Sequence, residues 1–119
     1  INEVAPRPHN SGHQTIESAY TSQYEQHLRA ILNFPLGSTK LKVPSVMVNL
    51  LGAAGHNGPT HYEELEACLA LDGVSLHLYG KTLTQPFRKM GHATIVADSL
   101  TAAIQKAEFV KATLKVKSL

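Results

Sequence analysis

Val46-Met47-Val48-Asn49-Leu50-Leu51 is an apolar run too short for a helix and rich in branched residues, so it reads as a buried strand. Pro44 leads into it, and Gly52 to Pro59, with Gly55 and Asn57-Gly58-Pro59, reads as a turn-forming loop on its far side. Farther on, Thr60-x-x-Glu63 has the spacing of a capping box. It predicts a second helix in which Tyr62, Leu65, Glu66 and Leu69 follow helical periodicity. After Asp72-Gly73, Val74, Leu76 and Leu78 alternate with Ser75, His77 and Tyr79, the period of a strand with two unlike faces. A further strand is predicted at His92 to Ala97. Asp98-Ser99 then caps a long helix whose Leu100, Ala103, Ile104, Ala107, Val110 and Leu114 form one apolar stripe. On the amino-terminal side, Ser22-x-x-Glu25 opens a helix to about Leu32, with Leu28, Ile31 and Leu32 in line, ended by Pro35 and Gly37. The fold class is α+β, with antiparallel strands and helices over one side.

The densest chemistry lies at the start of the chain, in Asn2-Glu3-Val4-Ala5-Pro6-Arg7-Pro8-His9-Asn10-Ser11-Gly12-His13. Pro6 and Pro8 each remove a backbone donor and push the preceding residue toward extended geometry, so no helix runs through the segment. Ile1 to Ala5 reads as a strand end and Pro6 to His13 as a rigid loop. A carboxylate before such a loop suits an anionic ligand held partly through Mg2+, which takes carboxylate and phosphate oxygens together. Arg7 offers the matching bidentate contact. The competing reading is an ordinary surface loop with Glu3 and Arg7 as an exposed ion pair, an arrangement worth little. His9 and His13 are four apart, but the prolines exclude the helix that would make them a zinc pair.

A second cationic cluster runs from Tyr79-Gly80-Lys81 to Arg88-Lys89, around a turn containing Pro86. Lys81 and Arg88 flanking a turn can jointly hold a phosphate dianion. The alternative is a solvated hairpin tip, which is the reading adopted for Lys89. His77 and His92 read as satisfied strand residues, and no role is assigned to His13.

The chain has 119 residues, 43% of them hydrophobic, and a net charge of +2. That is enough for one core, and it argues against a nucleic-acid binder. Lys111, Lys115 and Lys117 read as a solvated helix face. No apolar run reaches the roughly 18 residues of a membrane helix. The single Cys68 cannot form an internal disulfide, is compatible with the cytoplasm, and reads as a buried helix residue. Ile1, with no initiator Met or charged leader before it, reads as part of a longer protein.

The Asn2 to His13 string, continued by Thr15-Ile16-Glu17, Thr21 to Ala30 and Pro35-Leu36-Gly37, closely resembles the carboxy-terminal third of the N5-carboxyaminoimidazole ribonucleotide synthetases. These ATP-grasp enzymes of purine synthesis are also called the ATPase subunit of phosphoribosylaminoimidazole carboxylase. The resemblance resumes at Asn49-Leu50-Leu51-Gly52, His77 to Lys81 and Arg88 to His92. It implies the tail of an ATP-grasp domain in residues 1–40 and a small antiparallel β-rich subdomain in residues 41–119. It implies ATP and Mg2+ as cofactors, with Glu3 a metal ligand and Asn2 beside it at the nucleotide. Arg7, His9 and Asn10 would line the reacting pocket, and Lys81 and Arg88 would grip the substrate phosphate. The intact enzyme would carboxylate 5-aminoimidazole ribonucleotide with bicarbonate, act as a cytoplasmic homodimer, and pass its product to carboxyaminoimidazole ribonucleotide mutase; the 119 residues alone would be inactive. Two other readings stay open on the residues: another ATP-grasp carboxylase, or a non-catalytic dimerisation or docking module. Nothing is carried over to the loop Gly52-Ala53-Ala54-Gly55.

Overall fold

The computed structural model describes residue 1 and residues 3–119, so Asn2, predicted to sit beside the nucleotide, lies outside the described residues. After a 3-10 turn at Asn10–Gly12, the order is α1 (Thr15–Ser18), α2 (Gln23–Ile31), β1 (Ser45–Leu51), β2 (Gly58–Glu63), α3 (Leu65–Leu69), β3 (Val74–Leu78), β4 (Leu83–Thr84), β5 (Lys89–Val96), α4 (Leu100–Thr113) and β6 (Lys115–Ser118). Two three-stranded antiparallel sheets result, in the orders β1-β5-β3 and β4-β2-β6. The predicted α+β class therefore holds.

Alternation along β5 gives the first sheet two unlike faces. Ala93 pairs with Val48 and Leu76, and Ile95 with Val46 and Val74, so one face is apolar. It packs on Ala103, Ala107 and Val110 of α4 and on Leu114, which caps it, and with Leu50, Met90, Cys68 and Val116 these form the core. Ser99 caps α4 by accepting from the Ala102 amide, as predicted. Leu100 and Ile104, placed on the same stripe by sequence, are exposed. On the opposite face of the sheet Asn49, His92 and His77 lie in one row and Met47, Thr94 and Ser75 in the next.

The alternation breaks once. Leu50 pairs with Gly91 but Leu51 pairs with Lys89, leaving Met90 as the extra residue of a β-bulge. Met90 turns into the core and is fully buried, which puts Lys89 on the polar face with Asn49 and His92. The bulge also starts β5 at Lys89, three residues before the predicted His92.

Other expectations are corrected. Thr60 and Tyr62 belong to β2 rather than a helix: Thr60 to Glu63 pair with Ser118 to Lys115, and Glu64, at a left-handed φ of 58°, separates that strand from the short α3. Lys115 and Lys117 lie on β6, not on a helix face, because Val116 between them is needed in the core. Lys117 pairs with Glu63 at 2.8 Å. No strand forms at residue 1 or residues 3–5, where no partner strand among the described residues supplies the ladder. The helix capped by Ser22 is present, with Ser22 accepting from the Glu25 amide, but Leu28, Ile31 and Leu32 are exposed. Residues 18–21 and 38–42 are stitched together by the Tyr20–Lys40, Thr21–Ser38 and Lys42–Ser18 backbone hydrogen bonds.

Cys68 is fully buried on α3 as expected, and burial raises its thiol pKa. Gly73 opens β3 at a φ of 83°, and its carbonyl accepts from the Val96 amide at 2.8 Å. A Cβ there would lie 2.2 Å from the Val96 carbonyl oxygen, on backbone that cannot swing away. Gly73→Ala is therefore expected to cost at least about 2 kcal/mol, from left-handed strain plus that clash. The check is a lower urea midpoint at unchanged denaturant slope.

Candidate functional site

The polar face of the β1-β5-β3 sheet is covered by the segment around Asn10–Gly12 and α1. Asn10, His13, Gln14 and Glu17 recur at i, i+3, i+4 and i+7, one face of a helical path, and each meets a sheet residue. Asn10 Nδ2 donates to Asn49 Oδ1 at 2.5 Å, Gln14 Oε1 accepts from Ser45 Oγ at 3.1 Å, and His77 Nε2 donates to Glu17 Oε1 at 2.5 Å. His13 stacks on His92, with centroids 4.4 Å apart and planes at 29°. This is a polar helix–sheet contact. It was hidden in the sequence because the search for helical periodicity follows apolar residues, although the same spacing is present in polar ones.

His92 sits at the centre, only 3% exposed. His77 also stacks on it, at 4.4 Å and 10°. Its Nδ1 meets the Tyr79 hydroxyl at 3.1 Å, while its Nε2 is buried without a partner among the described residues. Burial, reinforced by the neighbouring His77 and His13, lowers the His92 pKa to about 4, with Glu17 opposing. His13, bonded to the Tyr24 hydroxyl, is also lowered, first by burial and then by charge from His77, His9 and Lys89. The three imidazoles are thus a linked cluster, whereas the sequence predicts His77 and His92 as separately satisfied strand residues and assigns His13 no role.

The predicted site residues fall into three groups. Asn10, Lys89 and Lys81 are joined: Lys89 Nζ donates to Asn10 Oδ1 at 3.2 Å, and Lys81 Nζ donates to the Lys89 carbonyl at 2.6 Å, 5.7 Å above the Tyr79 ring. Lys89 is therefore more than a hairpin tip. The bulge at Met90, invisible to pattern reading, is what aims it. Arg88 is held by Leu83, whose carbonyl accepts from Nη1 at 2.9 Å, and by its own carbonyl, which accepts from the Gly52 amide. Neither Lys81 nor Arg88 pairs with a carboxylate among the described residues.

Glu3, Arg7 and His9 form the third group, and all are exposed. Among the described residues Arg7 Nη1 reaches only the Pro8 carbonyl, at 3.3 Å, beside a groove against Gln23, Gln26 and His27 of α2. His9 caps the 3-10 turn: its Nδ1 accepts the Ser11 amide at 3.2 Å, so the neutral ring carries its proton on Nε2, free to donate outward. Among the described residues no group of three His, Cys, Asp or Glu could hold a metal, and no helix is long and apolar enough to cross a membrane.

The sequence model described as phosphoribosylaminoimidazole carboxylase C-terminal domain matches residues 45–106, which is half of the chain. The chain belongs to that family. Residues 1–24 in turn match the ATP-grasp domain, so this family member combines the end of an ATP-grasp unit with a small β subdomain. It is 49% identical over 117 residues to the N5-carboxyaminoimidazole ribonucleotide synthase of Aquifex aeolicus, covering 97% of the chain and 30% of that relative. The crystal structure of N5-carboxyaminoimidazole ribonucleotide synthetase from Thermotoga maritima superposes with a TM-score of 0.95 at 58% identity, over 99% of the chain and 33% of that structure. That of N5-carboxyaminoimidazole synthase from Aspergillus clavatus, in complex with ADP and 5-aminoimidazole ribonucleotide, gives 0.75 at 36% identity, over 89% of the chain and 28% of that structure. The resemblance read from the sequence is thereby established, and the chain spans about a third of the length of these relatives.

His92 loses stability on protonation. An ordinary imidazole has a pKa near 6.5 and this one about 4, so the unfolded chain takes up the proton first. The His92 contribution is complete above about pH 6.5 and is lost as pH falls towards 4. Urea midpoints should therefore drop across that window, and His92→Phe should flatten the drop. A His92 ring proton resonance titrating near 6.5 in the folded chain would contradict this.

Proposed function

We propose that this chain is the carboxy-terminal part of an enzyme that uses ATP and bicarbonate to carboxylate the exocyclic amine of 5-aminoimidazole ribonucleotide, giving N5-carboxyaminoimidazole ribonucleotide. The observation that carries this is the Asn10–Lys89–Lys81 connection. It joins the two clusters that separate stretches of sequence supply, one bearing reactive-pocket residues and the other anion-binding cations.

Residues 1–40 act as the tail of the ATP-grasp unit and residues 41–119 as the β-rich subdomain that closes the substrate side. Glu3 fits a Mg2+ ion as one carboxylate ligand, since it is exposed and forms no ion pair among the described residues. Such an ion, when bound, neutralises phosphate charge. Asn2 accompanies Glu3 at the nucleotide. Arg7 stabilises the anionic acyl phosphate formed from bicarbonate, a role that rests on charge and positioning. His9 donates from Nε2, and Asn10 holds the substrate amine in line through its amide. Lys81 and Arg88, without carboxylate partners among the described residues, take the 5'-phosphate of the ribonucleotide. The intact enzyme works as a cytoplasmic homodimer and hands its product to carboxyaminoimidazole ribonucleotide mutase.

In the full-length enzyme, Lys81→Ala and Arg88→Ala should each raise KM for the ribonucleotide more than they lower kcat, because the phosphate is held alike in ground and transition states. A charge-assisted hydrogen bond of roughly 1.5 to 3 kcal/mol corresponds to a rise of about ten-fold to a hundred-fold. Unchanged KM in both variants would return these residues to the solvated surface. Glu3→Gln should abolish most turnover across a Mg2+ titration, and near-normal activity would remove Glu3 from the metal.

A further inference from the structure

Asn49 lies in the middle of β1, paired with His92 and facing the polar side of the sheet, where a strand built of Val, Met and Leu has no packing need for an amide. Its side chain meets Asn10 at 2.5 Å across 39 residues of sequence. The polarity of that contact is fixed from the other end. The Lys89 ammonium can only donate, so the oxygen of the Asn10 amide faces Lys89 and its NH2 group faces Asn49. Asn49 must then present its oxygen. With both ends engaged, Asn10 keeps one amide N–H and one carbonyl lone pair for a ligand, in a single orientation.

We propose that Asn49 is a positioning residue: it holds the Asn10 amide in the orientation in which that group meets the substrate. This rests on the role given to Asn10 above. The required property at position 49 is an acceptor oxygen at that reach. Aspartate meets it, serine is too short and valine has no oxygen.

The test uses the full-length synthetase containing this chain, with 5-aminoimidazole ribonucleotide, bicarbonate and ATP as the assayed substrates. Asn49→Val is expected to lower kcat/KM for the ribonucleotide about ten-fold, the scale of one lost hydrogen bond, with KM for ATP unchanged. Asn10→Ala should show a comparable loss, and the Asn10→Ala, Asn49→Val double variant should be no worse than Asn10→Ala alone, since a positioning residue has nothing left to position. Asn49→Asp should restore activity to within about three-fold of the unsubstituted enzyme, because its carboxylate still accepts. If Asn49→Val fails to fold, Asn49→Ser takes its place in the cycle. Wild-type kinetics at Asn49→Val beside an impaired Asn10→Ala, or losses that multiply in the double variant, would overturn this inference and leave the proposed function intact. An unimpaired Asn10→Ala would overturn both.

Discussion

Alternation along the central strand β5 is the constraint on which the rest depends. Because Ala93 and Ile95 point one way and His92 and Thr94 the other, the same eight residues build a core against α4 and a polar platform for the amino-terminal segment. The first task is ordinary burial of apolar area. The second is unusual, because the contact is made by amide, carboxylate and imidazole groups, and burial leaves Glu17 Oε2, His92 Nε2 and Thr94 Oγ1 without partners among the described residues. Such a contact has little tolerance for sliding, since a shift of one residue would break the Asn10–Asn49, Gln14–Ser45 and Glu17–His77 hydrogen bonds together. Precision in placing Asn10 follows from that intolerance.

The bulge at Met90 shows how a small irregularity is used. A strand of perfect period would direct Met90 onto the polar platform and Lys89 into the core. One extra residue reverses both assignments, filling the core with a flexible thioether side chain and delivering an ammonium group to Asn10.

Much of this architecture was legible in the sequence, for identifiable reasons. The strands at Val46 and Val74 and the helices capped by Ser22 and Ser99 were found because periodicity and capping chemistry are local signals. The helix expected at Thr60 failed because a capping-box spacing also occurs by chance, and long-range pairing with β6 outweighed it. β6 itself was concealed by its alternating lysines, which look like the end of a helix until Val116 is needed to close the core. The site was legible as two clusters, Asn2 to His13 and Lys81 to Lys89, but not as one place. Their connection depends on a bulge and on polar residues at helical spacing, and neither leaves an apolar trace. Asn49 and the histidine cluster were missed for the same reason.

Cys68 gives the molecule a built-in clock. It is the one sulfhydryl in the chain, sealed at the α3–α4 side of the core and kept in its unreactive protonated form by that burial. A thiol reagent can reach it only after this region opens, so the alkylation rate reports how often the core breathes. Because the opposite face of the sheet anchors the amino-terminal segment, comparing that rate with and without ATP added to the full-length protein would register whether an event on one side of β5 is felt on the other.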